Sequence, residues 1–213
     1  MDSLTIQQTV ARHLLSVRAI RLQPDSPFTW SSGWKSPIYC DNRVTLAYPD
    51  VRTFIKNALA DAIRHHFPTA AVIAGVATAG IPQGALVADA LELPYCYVRP
   101  EPKAHGMGQQ IEGYLATGGQ PVVVIEDLIS TGGSSLKVVD ALRVAGANVL
   151  GMAAIFTYGF PIADQNFRDR NVPLVCLSNY DALLTEAQSL DYIPAGAMAS
   201  LAAWRQNPAG WGR

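Results

Sequence analysis

Apolar residues in this chain first recur at helical spacing: Ile6, Val10, Leu14 and Val17 fall on one face of a helix near the N-terminus. Thr5 with Gln8 fits a capping box for it. From Pro24 to Asn42 the period is lost. FTW, SSGW and KSPIYC read as two short strands around a glycine turn, a small hood set ahead of the main pattern. Asp50–His66 predicts a second helix, with Val51, Phe54, Ile55, Leu59 and Ile63 on one face. Strands and helices then alternate. Ala71–Gly75 predicts a strand followed by VATAG, Ile81–Leu91 a helix, and Tyr95–Val98 a strand. RPEPKAHGMGQQ breaks every period before IEGYL resumes a strand. Pro121–Glu126 is the most apolar β-branched run, Ser134–Ala145 a helix closed by Gly146, and Val149–Thr157 another buried strand. Tyr180, Leu183, Leu184 and Ala187 form a core-facing helix stripe.

This alternation, with continuously apolar strands, predicts an α/β fold: a central, mostly parallel sheet flanked by helices. The length of 213 residues suits one domain over 1–213, with hood elements near 1–45, a core near 46–180, and a C-terminal helix and tail over 181–213. Ligands of such sheets bind beyond the carboxyl ends of the strands. Three unusual loops fall there: VATAG, RPEPKAHGMGQQ and EDLISTGGS.

Composition narrows the function classes. A net charge of −1 excludes a nucleic-acid-binding surface over the whole domain, so an anionic ligand must be met by local cations and backbone N–H groups. Charged residues make up only 15%, which fits burial of surface against a partner subunit. Cys40, Cys96 and Cys176 are far apart and form no CxxC pair, so neither a zinc site nor a disulfide framework is expected, and a reducing, cytoplasmic setting is. The N-terminus reads as an amphipathic helix rather than a signal peptide, and no apolar run approaches membrane-spanning length.

The chemistry concentrates in Val122–Ser135, VVVIEDLISTGGSS. Small residues let the backbone approach a ligand closely, and the first N–H groups of a helix are unsatisfied donors with partial positive charge, so the end of this loop suits a phosphate. Ser130, Thr131 and Ser134 add hydroxyl donors. Glu126 and Asp127 are wrong for a phosphate but right for sugar hydroxyls or a hydrated Mg²⁺. A diol at one end and a phosphate at the other describes ribose 5-phosphate. The blander alternative is a βα turn capped by Ser134, with glycines easing the turn. Neither a P-loop nor a GxGxxG pattern is present.

This string resembles the phosphoribosyl-diphosphate (PRPP) signature of type I phosphoribosyltransferases, with Glu126 where many members have Asp. KxHG followed by IEG resembles the catalytic loop of the orotate phosphoribosyltransferases, FTWSSGWKSPIYCDNR their hood and GVATAGIP their pyrophosphate loop, most like the Gram-positive form. The resemblance implies transfer of ribose 5-phosphate from PRPP to orotate, for pyrimidine synthesis, with Mg²⁺ held mainly through PRPP and no direct protein ligand. It implies that Arg99, Lys103 and His105 contact PRPP in the neighbouring subunit of a homodimer with shared sites, Lys103, His105 and Asp127 being catalytic. Glu126, Asp127, Leu128, Ile129, Ser130, Thr131, Gly132, Gly133 and Ser134 would hold the ribose and its phosphate, with Ser130 also touching orotate. Tyr39 would lie against the orotate ring, and Lys35 or backbone near Ser36 would meet its carboxylate. Pro100, Ser31, Ala79 and Tyr158 replace basic residues of the enteric form.

Other residues carry simpler readings. His65 and His66 predict a solvated helix end and His13 an exposed position. Asp41 and Arg43 suit a surface pair or a subunit contact, and Trp204 and Trp211 either docked anchors or a partly disordered tail. Two other functions share the loop chemistry: a PRPP-sensing gene regulator and a phosphoribosyltransferase for another base. The regulator calls for a basic helical module, whereas the first helix holds only Arg12 and Arg18.

Overall fold

The computed structural model describes residues 3–30, 33–99, 110–116, 118–194 and 196–212. Helix α1 (Ser3–Ser16) begins before Thr5, so Thr5 lies inside it and the expected capping box does not form. Its carbonyl instead accepts from Thr9 Oγ1 at 2.7 Å.

The hood is two antiparallel ribbons rather than one hairpin. Strand β1 (Ile20–Leu22) pairs with β4 (Ile38–Cys40), and β2 (Phe28–Thr29) pairs with β3 (Lys35–Ser36). A 3-10 helix, Asn42–Ala47, leads into α2 (Pro49–His66). There follow β5 (Val72–Val76), α3 (Gly80–Leu91), β6 (Tyr95–Val98), β7 (Ile111–Gly113), β8 (Pro121–Ile129) and α4 (Gly133–Val144). The chain continues through β9 (Asn148–Thr157), α5 (Pro161–Asp169), β10 (Leu174–Asn179), α6 (Tyr180–Ser189) and α7 (Ala197–Gln206).

Strands β5 to β10 make one sheet in the order β10-β9-β8-β5-β6-β7. Every neighbouring pair is parallel except β6–β7, so IEG forms an antiparallel edge. Val122, Val123, Val124 and Ile125 of β8 are all fully buried, each worth about 1.5–3 kcal/mol of burial. Their side chains alternate between two cores. Val123 and Ile125 face the core built by α1, α2, α3, α6 and α7, while Val122 and Val124 face the one under α4 and α5. Strand β8 does not stop at Glu126 as its apolar run predicts; pairing with β9 carries it to Ile129, opposite Thr157. The two acids therefore sit within the strand.

The C-terminal segment is docked. Trp204 is fully buried, with ring centroids 5.6 Å from Trp30 and Tyr158 and 5.4 Å from Phe160 and Tyr180. Trp211 packs against the same core. His13, expected to be exposed, is half-buried 4.9 Å from the Phe54 ring; burial, then the neighbouring Arg12, lowers its pKa. His65 and His66 are exposed at the end of α2. Among the described residues no helix is long and apolar enough to cross a membrane.

Candidate active site

Because β5, β6, β8 and β9 run parallel, their carboxyl ends share one edge of the sheet. The segment after β5, Arg99 after β6, the SerThrGly turn after β8 and Tyr158 after β9 all emerge there. The sequence expectation of one site at this edge rests on the same pairing.

The turn after β8 is shaped by Gly132, which adopts φ +79° before the first residue of α4. A Cβ there would lie 2.6 Å from the Phe167 ring, so both conformation and space call for glycine. No side chain caps α4, and Ser134 is exposed, so the simple Ser134-capped turn is not what forms. The first-turn N–H groups remain available as donors. Asn166 of α5 steadies the turn by donating Nδ2 to the Thr131 carbonyl at 2.9 Å.

The acids diverge in environment. Glu126 is buried: its Oε2 accepts from Ser135 Oγ at 2.7 Å and its Oε1 from the Asp127 backbone N–H at 3.0 Å. Burial, and then the adjacent Asp127, hold the Glu126 carboxyl well above the ordinary carboxylate range. Asp127 is half-buried and also raised, chiefly by burial. Its backbone carbonyl accepts from Asn42 Nδ2 at 2.7 Å, which ties the hood to this strand end.

In the hood, adjacent strand residues point to opposite faces. Tyr39 stacks 5.5 Å from Phe28, with the Arg21 guanidinium carbon 5.0 Å from its ring centroid. Cys40 faces inward, its thiol donating to Asn42 Oδ1 at 3.4 Å. Burial, then Asp127, pushes the Cys40 thiol up, and burial, then Cys40 and Asp127, raises the Tyr158 phenol. Cys40, Asp127 and Tyr158 thus share one electrostatic neighbourhood. Tyr158 is locked by rings at 5.4 Å (Trp30), 5.5 Å (Phe160) and 5.8 Å (Phe156), and it is a protonated donor at neutral pH.

Of the cations, Lys35 is exposed and donates Nζ to Thr29 Oγ1 at 2.8 Å within the hood. Arg99 pairs with Glu112 at 3.3 Å, and its backbone N–H donates to the Gln110 carbonyl at 2.9 Å. Arg43 grips Asp41 through two hydrogen bonds, of 2.7 and 2.9 Å. Lys103, His105, Pro100 and Ser31 lie outside the described residues. Among the described residues no group of three or more His, Cys, Asp or Glu could hold a metal ion. Sequence reasoning missed Asn42, Ser135, Thr45 and Gln83; the only signal was that each is a polar residue inside an otherwise apolar or motif-bearing segment.

This strand–acid–glycine turn on a mostly parallel sheet defines a phosphoribosyl transferase domain, and the sequence model of that family matches residues 46–179. A curated orotate phosphoribosyltransferase of Cytophaga hutchinsonii is 55% identical over 202 residues, covering 95% of this chain and 96% of its own. The crystal structure of orotate phosphoribosyltransferase from Aeropyrum pernix superposes with a TM-score of 0.74 at 30% identity, covering 87% of this chain and 99% of that one. The structure of Leishmania donovani UMP synthase matches with a TM-score of 0.77 at 25% identity over 93% of this chain, which spans 42% of that longer protein. The chain belongs to the orotate phosphoribosyltransferase family.

Proposed function

We propose that this protein transfers ribose 5-phosphate from PRPP to orotate, giving orotidine 5′-monophosphate and pyrophosphate in pyrimidine synthesis. The observation that carries the reading is the end of β8: a half-buried carboxylate, Asp127, beside the uncapped first turn of α4. The two suit the diol and the phosphate of one ligand.

Asp127, with Glu126 behind it, holds the ribose hydroxyls; Leu128, Ile129, Ser130, Thr131, Gly132, Gly133 and Ser134 wrap the 5-phosphate. Ser130 also reaches orotate, Tyr39 lines the base and Lys35 draws in its carboxylate. Arg99, Lys103 and His105 come from the partner subunit of a cytoplasmic homodimer and neutralise the departing pyrophosphate. The C1′–oxygen bond to pyrophosphate breaks, the leaving group takes the electron pair, and orotate N1, reacting as an anion, forms the new bond to C1′. No strong base is needed, so catalysis consists of positioning and charge stabilisation.

Mg²⁺ supplies charge neutralisation on the diphosphate when bound. The donor set fits an ion held through PRPP: Glu126 is satisfied internally and Asp127 offers the remaining carboxylate of the pair, reaching ribose rather than caging a cation. A gene-regulator reading gains nothing from α1, where Arg12 is engaged by Glu186 at 2.9 Å. The test is incubation with PRPP, Mg²⁺ and each candidate base. Pyrophosphate release with orotate is expected; release with adenine or xanthine and none with orotate sinks the assignment.

A further inference from the structure

The geometry points to Asn42 as a positioning residue that fixes the hood, and with it the base, at a set distance from the ribose carbon held by the end of β8. This rests on the orotate phosphoribosyltransferase reading above and adds a residue with no contact to either substrate.

Strand β8 loses one neighbour before it ends. Its pairing with β5 stops at Gly75–Ile125, whereas its pairing with β9 continues to Ile129. The overhang carries both acids. On the open side, the Asp127 carbonyl is taken by Asn42 Nδ2 at 2.7 Å, in place of a sheet hydrogen bond. The same amide accepts the Cys40 thiol through Oδ1 at 3.4 Å, so one side chain grips the ribose strand and the last residue of the hood ribbon.

The grip extends backwards. Thr45 Oγ1 donates to the Asn42 carbonyl at 2.6 Å and accepts from Gln83 Nε2 of α3 at 3.3 Å. Asn42 and Thr45 are fully buried and Gln83 nearly so, and Gln83 Oε1 has no hydrogen-bond partner. Helix α3 is itself seated on β8: a Cβ on Gly80 would lie 2.5 Å from the Ile125 carbonyl oxygen. A polar relay buried this deeply, with one acceptor left unpaired, is an expensive way to fill space, and an apolar side chain of the same volume would fill it more cheaply. What the relay adds is a fixed relation between hood, β8 and the helix after VATAG. In a reaction driven by alignment, a displacement of about an ångström costs up to about 10²-fold.

The test compares Asn42→Ala, which leaves a cavity, with Asn42→Leu, which refills it; neither can donate. Both are expected to lower kcat by about 10–100-fold while the Kd for Mg²⁺-bound PRPP stays within about 3-fold of wild type. If Asn42→Ala does not fold, Asn42→Leu carries the measurement alone. Near-wild-type kcat in Asn42→Leu overturns the proposal, because Asn42 would then only fill space. A parallel, equal worsening of kcat and PRPP Kd overturns it too, as a general loss of structure. Absence of turnover by the wild-type protein would instead fail the catalytic reading and take the Asn42 role with it.

Discussion

Ser135 donates its hydroxyl to Glu126 Oε2 at 2.7 Å, joining the first turn of α4 to the strand that precedes it beneath the phosphate turn. Both residues are buried. Removing the donor in Ser135→Ala leaves a buried carboxyl oxygen of Glu126 without its partner, a loss of about 1–3 kcal/mol. Urea denaturation is expected to show that loss at neutral pH, with little change in m-value.

The raised pKa of Glu126 makes a signed prediction. A carboxyl whose folded pKa exceeds its unfolded value binds its proton more tightly in the folded state. Its contribution is thus fully present below the unfolded pKa and is lost as pH rises towards the folded one. In Glu126→Gln the amide can still accept from the Asp127 N–H and donate to Ser135 Oγ, but it does not titrate. A thermal scan across pH should show this variant gaining stability relative to wild type as pH rises above the ordinary glutamate range. A constant difference at all pH values would contradict the assignment.

Trp204 anchors the C-terminal helix in a cage of Trp30, Tyr158, Phe160 and Tyr180 rings. Trp204→Ala is expected to cost about 3–5 kcal/mol in chemical denaturation. Because Trp30 of the hood leans on the same indole and donates Nε1 to the Ile38 carbonyl beside Tyr39, the orotate KM should rise more than the PRPP KM in any folded remainder.

Lys103→Ala should lower kcat by about 10²–10³-fold, as for other preorganised charge stabilisers. Steady-state kinetics separates the roles: a raised KM with unchanged kcat would make Lys103 a binding group only.

The sequence made much of the fold legible because β8 and β9 are apolar on both faces, which only a covered parallel sheet accommodates. It ended β8 at Glu126, three residues short, since Asp127 and the residues after it look like a loop until the pairing with β9 is known. In the site, Gly132 stood out in the sequence only as a small residue that lets a ligand approach the backbone; that its φ of +79° and the Phe167 ring both require glycine needs the fold. Asn42 and Ser135 were not readable: their partners are carried by other segments or hidden by burial, and no local period marks them. Tyr39 and Cys40 sit together in the chain, yet strand alternation sends Cys40 towards Asn42 and Tyr39 towards Phe28 and Arg21, a division that needs the β1–β4 register.

The most direct measurement follows orotate consumption and pyrophosphate release together, with purified protein, PRPP and Mg²⁺. Equimolar loss of orotate and gain of pyrophosphate is expected, both suppressed in Gly132→Val, where φ +79° and the Phe167 ring leave no room for a side chain. Pyrophosphate released without orotate consumed, or turnover undiminished in Gly132→Val, would contradict it.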